Sequence, residues 1–346
     1  MKRYIDVSRI FMVMLIVIIF SGCALPQVQH ETVNAKFTAI PLGTKGGLIE
    51  ADLSSYLLAP AGDTNFIALD AGTLLAGLQQ AKQKGSLRGI EIPSDSPLSL
   101  EGVVMQNHIK AYVISHAHID HVAGMVINAP DDSPKPILGL PSTIDTIRDH
   151  LFNWKTWPNF GDDGEGFQLK KYQYVRLKPG EKHPVKNTAM VIVPYELSHY
   201  GGYLSTAFLV ESGGEYMLYF GDGGPDAVEK SDTMQQVWTA VAPLVREKKL
   251  HGIFLESSFP SDRPDNLLFG HLTPKWMMEE LRTLAKLVNP DQPEIALNGL
   301  KVVVTHIKPT LNRDDFPEIT IMNELSELND LGVEFILPES GKRLVF

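Results

Sequence analysis

Short apolar or alternating runs, separated by glycine, proline, aspartate and asparagine, dominate the first third of the chain. Four of them are expected to form strands: Phe37–Leu42, Ser54–Leu58, Phe66–Leu69 and Ala111–Ser115. Residues 74–84 repeat leucine and alanine at helical spacing and predict a helix. Residues 85–102 are rich in glycine, proline and serine, so we expect a surface excursion there.

In the second half of the chain, strand patterns alternate with helix patterns. The expected strands are Ala189–Pro194, Thr206–Val210, Tyr216–Phe220, Gly252–Leu255, Lys301–Thr305 and Val333–Leu337. The expected helices are Ile144–Phe152, Thr233–Lys248, Pro274–Val288 and Pro317–Leu331. Strands followed by alternation predict a layered α/β fold with helices outside the sheets. No linker rich in proline, serine or glycine divides residues 35–346, so we predict one domain.

The N-terminus has a basic start, an apolar run and then small residues. Residues 10–20 contain no polar side chain. Eleven residues are too few for a membrane-spanning helix, which needs about 20. The pattern is typical of a secretory signal peptide, predicted here as residues 1–22. Residues 23–34 are expected to be a polar tether.

The chain has a single cysteine, Cys23, which can form neither an intramolecular disulfide nor a thiolate-rich metal site. The segment from Phe20 to Cys23 resembles the lipobox of bacterial lipoproteins. This resemblance implies a covalent lipid anchor on Cys23. Ala24 follows, rather than the aspartate that commonly retains such proteins at the inner membrane. We therefore expect a periplasmic protein anchored to the outer membrane of a Gram-negative bacterium, with a soluble periplasmic or secreted protein as the alternative.

Composition changes this picture in one respect. The chain is 44% hydrophobic and 21% charged, as in ordinary globular proteins. The formal net charge of −10 repels polyanions and argues against nucleic acid as the partner. A small molecule is the expected substrate, and the oligomeric state stays open.

A histidine cluster directly follows the strand predicted at residues 111–115. His116, His118, Asp120 and His121 fall within six residues. Neutral imidazole and carboxylate are the ligands that Zn²⁺, Fe²⁺ and Mn²⁺ accept where thiolates are absent. A loop at a strand end can turn these side chains toward one point. The sequence therefore predicts a metal site here.

The spacing His116-x-His118-x-Asp120-His121 resembles the signature of the metallo-β-lactamase superfamily. The longer run from His116 to Pro130 resembles that of the class II cyclic-nucleotide phosphodiesterases. The resemblance implies a four-layer αββα sandwich with a one- or two-metal site.

Other superfamily motifs occur in the expected order along the chain. The resemblance implies that His116, His118 and His199 hold one metal, and that Asp120, His121 and His306 hold a second. It makes Asp222 the bridging carboxylate beside a bridging hydroxide, and Asp70 a support for the metal loop. Asp120 is counted among the catalytic residues as well. Two divalent ions are expected, with zinc favoured and iron or manganese left open.

Two further segments, Phe254–Phe259 and Phe269–Pro274, resemble the phosphodiesterase branch, which includes ribonuclease Z. There, His271 would act as general acid with Glu256 as its partner, because a departing alkoxide needs a proton at neutral pH. Alternatively, His271 is a loop residue without a role, before a helix that starts at Thr273-Pro274. β-Lactam hydrolysis needs no such pair.

The resemblance implies hydrolysis of 3′,5′-cyclic AMP, and of cyclic GMP as a further substrate, to nucleoside 5′-monophosphates. The alternatives are a ribonuclease Z-like phosphodiesterase, a lactonase or β-lactamase, and a non-catalytic lipoprotein. Trp154, Trp157, Tyr200 and Tyr203 are candidates for stacking on a base, although a place in the core or in a lid is the favoured interpretation.

Overall fold

The computed structural model describes residues 34–346. The predicted signal peptide, Cys23 and all of the predicted tether except its last residue lie outside the described residues. Within residues 34–346, no helix combines the length and the apolar character needed to cross a membrane.

The described chain contains two seven-stranded sheets. The first sheet takes its first six strands in chain order: β1 (Phe37–Gly43), β2 (Ser55–Pro60), β3 (Phe66–Leu69), β4 (Ile109–Val113), β5 (Lys135–Gly139) and β6 (Tyr172–Arg176). The second sheet comprises β7 (His183–Pro184), β8 (Val191–His199), β9 (Tyr203–Ser212), β10 (Glu215–Phe220), β11 (Leu250–Glu256), β12 (Lys301–Thr305) and β13 (Glu334–Ile336). The last strand, β14 (Leu344–Val345), returns to the first sheet and pairs with β1.

Each sheet has an antiparallel part and a parallel part. Strands β3 to β6 run parallel to one another, as do β10 to β13. The carboxyl ends of parallel strands meet at one edge of a sheet, and the loops that follow them meet there too. This edge is where the predicted site residues occur.

Residues 34–346 form eight α-helices, most of which cover the outer faces of the sheets. They are α1 (Leu75–Gln83), α2 (Leu100–Val103), α3 (Ile119–Asn128), α4 (Pro141–Thr146), α5 (Asp226–Glu229), α6 (Thr233–Arg246), α7 (Pro274–Val288) and α8 (Pro317–Leu328). Side chains of α1 to α4 pack with the first sheet, and those of α6 to α8 pack with the second.

Three apolar cores separate four layers. Along β1, Ile40 and Leu42 face the helices of the first sheet, whereas Ala39 points into the space between the sheets, as the period of two in a strand requires. In that central space, Tyr56 of the first sheet meets Phe254 of the second edge-on, with ring centroids 5.2 Å apart. The predicted four-layer αββα sandwich is confirmed.

Several elements differ from the prediction. Helix α3 begins at Ile119, inside the histidine cluster, where a loop was expected; its buried residues Val122, Met125 and Val126 follow a helical spacing that the prediction did not use. Strands β5 and β6 were missed, since both are short and interrupted by charged residues or proline. Strand β8 was expected to end at Pro194 but continues to His199. Its edge partner β7 pairs only with Val191 and Ile192, so no strand on that side requires a hydrogen bond from the nitrogen of Pro194.

The expected surface excursion at residues 85–102 is only partly superficial. Leu87 and Ile90 are buried in the core between the helices and the first sheet. The end of the segment also enters α2, whose N-cap is the Ser99 side chain. The few apolar residues of this segment lie scattered among many small and polar ones, a pattern too weak to predict this packing.

Candidate metal centre

The predicted site residues lie at the carboxyl-end edge of both sheets. Asp70 follows β3, and His116 lies three residues beyond β4. His199 is the last residue of β8, and Glu256 is the last residue of β11. Asp222 and His306 follow β10 and β12, so loops from six strands converge here.

The seven predicted ligands form two groups. Ligand atoms of His116, His118, His199 and Asp222 all lie within 4.8 Å of one another, and so do those of Asp120, His121 and His306. A third set at the same spacing contains Asp222, His271 and His306. The structure thus brings together every residue that was predicted as a ligand.

Asp222 lies between the two groups. Its Oδ2 atom is 3.2 Å from Nε2 of His121 and 3.2 Å from Nε2 of His306. The same oxygen is 3.7 Å from Nε2 of His116 in the other group. Oδ2 of Asp120 lies 3.3 Å from Nε2 of His306. A single carboxylate therefore faces both groups, which is the geometry that a bridging ligand requires.

Hydrogen bonds from Nδ1 fix the rings of three histidines. Nδ1 of His199 donates to the carbonyl oxygen of Gly270 at 2.9 Å, and Nδ1 of His121 bonds to Oδ2 of Asp70 at 2.8 Å. Nδ1 of His306 bonds to Oγ of Ser258 at 2.9 Å. Nε2 of each ring is left facing the centre, and a hydrogen bond from the other ring nitrogen is the usual way in which metal-binding imidazoles are oriented.

The donor set fits divalent cations. Nδ1 of His118 lies 3.0 Å from Nε2 of His116 and 3.3 Å from Nε2 of His199, so several imidazole nitrogens converge. The buried Nε2 of His121 lies 3.2 Å from Oδ2 of Asp222, but within residues 34–346 it makes no contact with hydrogen-bond geometry. A buried polar atom without a partner is costly, and a cation among these nitrogens would satisfy it.

The charge states agree with this fit. Burial, followed by the charge of neighbouring imidazoles, lowers the pKa of His116 and His118. Burial also lowers the pKa of His199 and His306. At neutral pH these rings are therefore neutral, and their lone pairs are free to bind a metal ion.

His121 differs from the other imidazoles. Burial disfavours its charged form, but Asp222 and Asp70 outweigh burial and raise its pKa well above the usual value. The pKa of Asp222 lies well below the usual value, because His306 and His121 outweigh the effect of its own burial. The anionic carboxylate is thus the favoured form of Asp222.

Asp70 stabilises the loop that carries the histidine cluster, residues 115–121. Its carboxylate accepts hydrogen bonds from the backbone N–H and the hydroxyl of Ser115, at 2.7 and 2.8 Å. The hydroxyl of Tyr219, in the second sheet, donates to it at 2.6 Å. Because Asp70 also bonds to His121, it connects both sheets to the loop that carries the histidine cluster.

Glu256 and His271 form a second buried pair in the site. Nδ1 of His271 lies 2.9 Å from Oε1 of Glu256 and 3.9 Å from Oδ2 of Asp222. Burial, together with Asp222, raises the pKa of Glu256 to about 7. Burial lowers the pKa of His271 to about 4. The 3.9 Å distance from His271 to Asp222 places this pair next to the predicted metal ligands.

A cavity of about 380 Å³ opens onto this cluster. Its lining consists of His118, Asp120, His199, Tyr200, Tyr203, Asp222, Phe269, His271 and Lys308. Of the four aromatic residues considered from the sequence, Tyr200 and Tyr203 line it and Trp154 and Trp157 do not.

Sequence reasoning missed two lining residues, Phe269 and Lys308. Each lies two residues from a predicted site residue, His271 and His306 respectively. That proximity was the available signal. A larger cavity of about 840 Å³, lined by lysines at the opposite ends of the strands, contains none of the predicted site residues.

A sequence profile of the class-II cAMP phosphodiesterases matches residues 33–341. The chain belongs to that family. It is 45% identical to the 3′,5′-cyclic-nucleotide phosphodiesterase of Aliivibrio fischeri, over 90% of this chain and 94% of the relative. It is 40% identical to a probable 3′,5′-cyclic-nucleotide phosphodiesterase of Yersinia pestis, over 89% of each chain.

Solved structures agree with this assignment. The crystal structure of unliganded yeast PDE1 is similar to this class-II chain with a TM-score of 0.78 and 26% identity, over 90% of this chain and 100% of that one. The metallo-β-lactamase fold protein YhfI from Bacillus subtilis shares the fold, with a TM-score of 0.55 and 15% identity, over 89% of this chain and 99% of that one. The family and the fold predicted from the histidine cluster are both confirmed, and so is the prediction of an enzyme of this family.

Proposed function

We propose that this class-II chain hydrolyses 3′,5′-cyclic AMP, and cyclic GMP as a further substrate, to nucleoside 5′-monophosphates in the 380 Å³ cavity. The observation that carries the proposal is the shared carboxylate of Asp222 between two ligand groups, with the Glu256–His271 pair beside it. The names of the bacterial relatives support the cyclic nucleotide as substrate.

The ligand groups would hold two divalent ions. His116, His118 and His199 would hold one, Asp120, His121 and His306 the other, and Asp222 would contact both. Two such ions, when bound, lower the pKa of a shared water and draw charge from the phosphoryl oxygens. Asp70 contributes by fixing the ring of His121, so that Nε2 stays directed to the centre.

Opening the cyclic phosphate forms a bond from a water oxygen to phosphorus and breaks the bond from phosphorus to O3′. The departing O3′ then needs a proton. His271 lines the cavity, and its Nδ1 is engaged by Glu256, so Nε2 is the nitrogen left to reach O3′. Because Glu256 has a pKa raised to about 7, the pair retains a proton near neutral pH and supplies it.

We propose zinc as the resident metal. The ligand set of imidazole nitrogens and carboxylates without thiolate suits Zn²⁺, and Fe²⁺ and Mn²⁺ are the alternatives that the same donors accept. Elemental analysis of the purified protein tests this directly. About two zinc ions per chain is the expected result, and iron or manganese at that stoichiometry would reject zinc.

The activity is tested by product analysis. The full chain, incubated with cyclic AMP or cyclic GMP, is expected to yield the 5′-monophosphate. Removal of metal by a chelator should abolish turnover, and adding back Zn²⁺ should restore it. A 3′-monophosphate product, or turnover of a chromogenic cephalosporin instead of the cyclic nucleotides, would contradict the proposal.

We further propose that the protein is exported and anchored to the outer membrane through a lipid on Cys23. The apolar run at residues 10–20 and the lipobox-like segment that ends at Cys23 support this location. Changing Cys23→Ser should move the protein from the membrane to the soluble fraction. Unchanged fractionation would reject lipidation.

A further inference from the structure

Two exposed aromatic rings lie beside the metal ligands. The exposed fractions of Tyr200 and Phe269 are 55% and 44%, and both side chains line the 380 Å³ cavity. Their ring centroids are 5.5 Å apart at 76°, an edge-to-face pair. Large apolar side chains left together at a polar cavity are typical of a binding surface.

The backbone holds Phe269 in an unfavourable conformation. Its φ is +54°, in the left-handed region that bulky side chains rarely adopt. Such strain persists where the surrounding structure enforces it, and it concentrates at functional sites. The benefit of placing a ring here must therefore come from something other than local backbone preference.

The next residue explains how the ring is fixed relative to the metal ligands. Gly270 packs so closely that an added Cβ would lie 2.4 Å from the backbone nitrogen of Tyr200 and 2.6 Å from Nδ1 of His199. The carbonyl oxygen of Gly270 also accepts the hydrogen bond from His199. The backbone next to Phe269 is thus packed against the backbone of Tyr200 and the ring of His199.

The rest of the lining offers little free apolar surface. The ring of Tyr203 is already stacked on that of His118, with centroids 4.7 Å apart and an interplanar angle of 9°. The other lining residues are histidines, aspartates and a lysine, which suit a phosphate and its metals. Among the tyrosine and phenylalanine rings of the lining, Tyr200 and Phe269 are those that do not stack on a histidine, although the guanidinium of Arg263 lies 5.9 Å from the centroid of Phe269.

We propose that Tyr200 and Phe269 form a binding platform for the purine of the cyclic nucleotide, which stacks on one ring and contacts the edge of the other. This inference rests on the proposed function and names the base-binding surface of that site. Stacking needs only a flat π face, so the platform accepts adenine and guanine alike. It places the base beside the metals without any hydrogen bond that would select one purine.

The test compares two substrates that differ only in the base. They are cyclic AMP and methyl ribofuranoside 3′,5′-cyclic phosphate, whose hydrolysis is followed by phosphorus NMR. In Phe269→Ala, the ratio of kcat/KM for cyclic AMP to that for the substrate without a base should fall about fivefold or more, the range expected for base–aromatic stacking. Tyr200→Ala should lower the same ratio, and Phe269→Trp should retain it.

Two further variants separate stacking from folding. Phe269→Gly removes the ring and also relieves the positive φ, so we expect a Tm no lower than that of the unchanged protein together with the reduced ratio. Phe167→Ala is the matched control, because Phe167 is 73% exposed and outside the cavity lining. It should leave the ratio unchanged.

The outcomes distinguish the platform from the proposed function. If the unchanged protein hydrolyses cyclic AMP and the ratio stays within about twofold in both Phe269→Ala and Phe269→Gly, the platform alone is overturned. If the unchanged protein hydrolyses neither substrate, the proposed function fails and the platform fails with it.

Discussion

Two buried carboxylate–imidazole pairs lie on either side of Asp222. Asp70 bonds to Nδ1 of His121 at 2.8 Å, and Glu256 bonds to Nδ1 of His271 at 2.9 Å. The first pair lies at the edge of the first sheet and the second at the edge of the other. All four side chains are buried, so neither the length of the hydrogen bond within each pair nor the burial of its side chains distinguishes the two pairs.

Their hydrogen-bond donors do distinguish them. Besides His121, Asp70 accepts three short bonds of 2.6 to 2.8 Å from Ser115 and Tyr219. Glu256 accepts one short bond, from the hydroxyl of Ser258 at 2.7 Å. Its two backbone bonds, from Gly223 and Leu272, are longer at 3.3 Å. The Asp70 carboxylate therefore accepts more short hydrogen bonds than the Glu256 carboxylate.

The imidazoles differ accordingly. The pKa of His121 is raised, since Asp222 and Asp70 outweigh burial, whereas burial lowers the pKa of His271 to about 4. His271 lines the cavity and His121 does not. Under the proposed function, the first pair would orient a metal ligand, whereas in the second pair Glu256, with its pKa raised to about 7, would hold a proton for His271 to pass to the substrate.

The largest expected effect comes from breaking the first pair with Asp70→Asn. The amide turns an N–H group toward donors that now lack an acceptor, so the free energy of unfolding should fall by about 3 kcal/mol or more. The ring of His121 also loses its orientation, so metal affinity should fall at least about tenfold. Urea unfolding of the metal-free protein and metal titration measure the two effects.

Asp132→Asn is the matched control for Asp70→Asn. Asp132 is a buried carboxylate that belongs to none of the ligand groups; it accepts bonds from the hydroxyls of Tyr112 and Tyr172 and pairs with Lys135. It should lower stability while leaving the metal affinity of the folded protein unchanged. Normal metal affinity in Asp70→Asn would show that Asp70 is not needed to orient the ring of His121.

Breaking the second pair with His271→Ala should cost less stability than Asp70→Asn, because Glu256, whose pKa is raised to about 7, can take up a proton when it loses its partner. The value of kcat for cyclic AMP should fall by about 10²- to 10⁴-fold, the range for a lost general acid. Hydrolysis of bis(p-nitrophenyl) phosphate should fall far less, because p-nitrophenolate departs without a proton. Parallel assays on both substrates measure the difference. Equal losses on the two would show that His271 does not act as an acid.

Much of the fold was predictable because its pattern is local. The predicted bounds of Phe66–Leu69, Pro274–Val288 and Lys301–Thr305 match the structure. Helix α3 starts inside the histidine cluster, and strands β5 and β6 have five residues each, so none of the three was predicted from its own short pattern. Their assignment depends on neighbours that are distant in sequence: β6, for example, pairs with β5 through residues 135–139.

The site was predictable to a different degree. The histidine cluster is contiguous, so its chemistry can be recognised before any folding, and the later ligands follow strand ends in a recognisable order. The roles of Phe269 and Lys308 depend on which loops meet at the cavity, and no local spacing encodes that. The Asp70–Tyr219 bond is equally invisible, because it joins residues 149 positions apart in different sheets.

That bond provides the smallest and most specific test of the comparison. Tyr219→Phe removes one hydrogen bond to the Asp70 carboxylate, so stability should fall by about 1.5–3 kcal/mol, the range for a bond to a charged group. Tyr56→Phe is the matched control: its ring lies 5.9 Å from that of Tyr219, and its buried hydroxyl has no hydrogen-bond partner within residues 34–346. Removing that hydroxyl should cost nothing in urea unfolding. Equal losses in the two variants would mean that the Tyr219 hydroxyl does not help to stabilise Asp70, and that the two carboxylates differ less than their donors suggest.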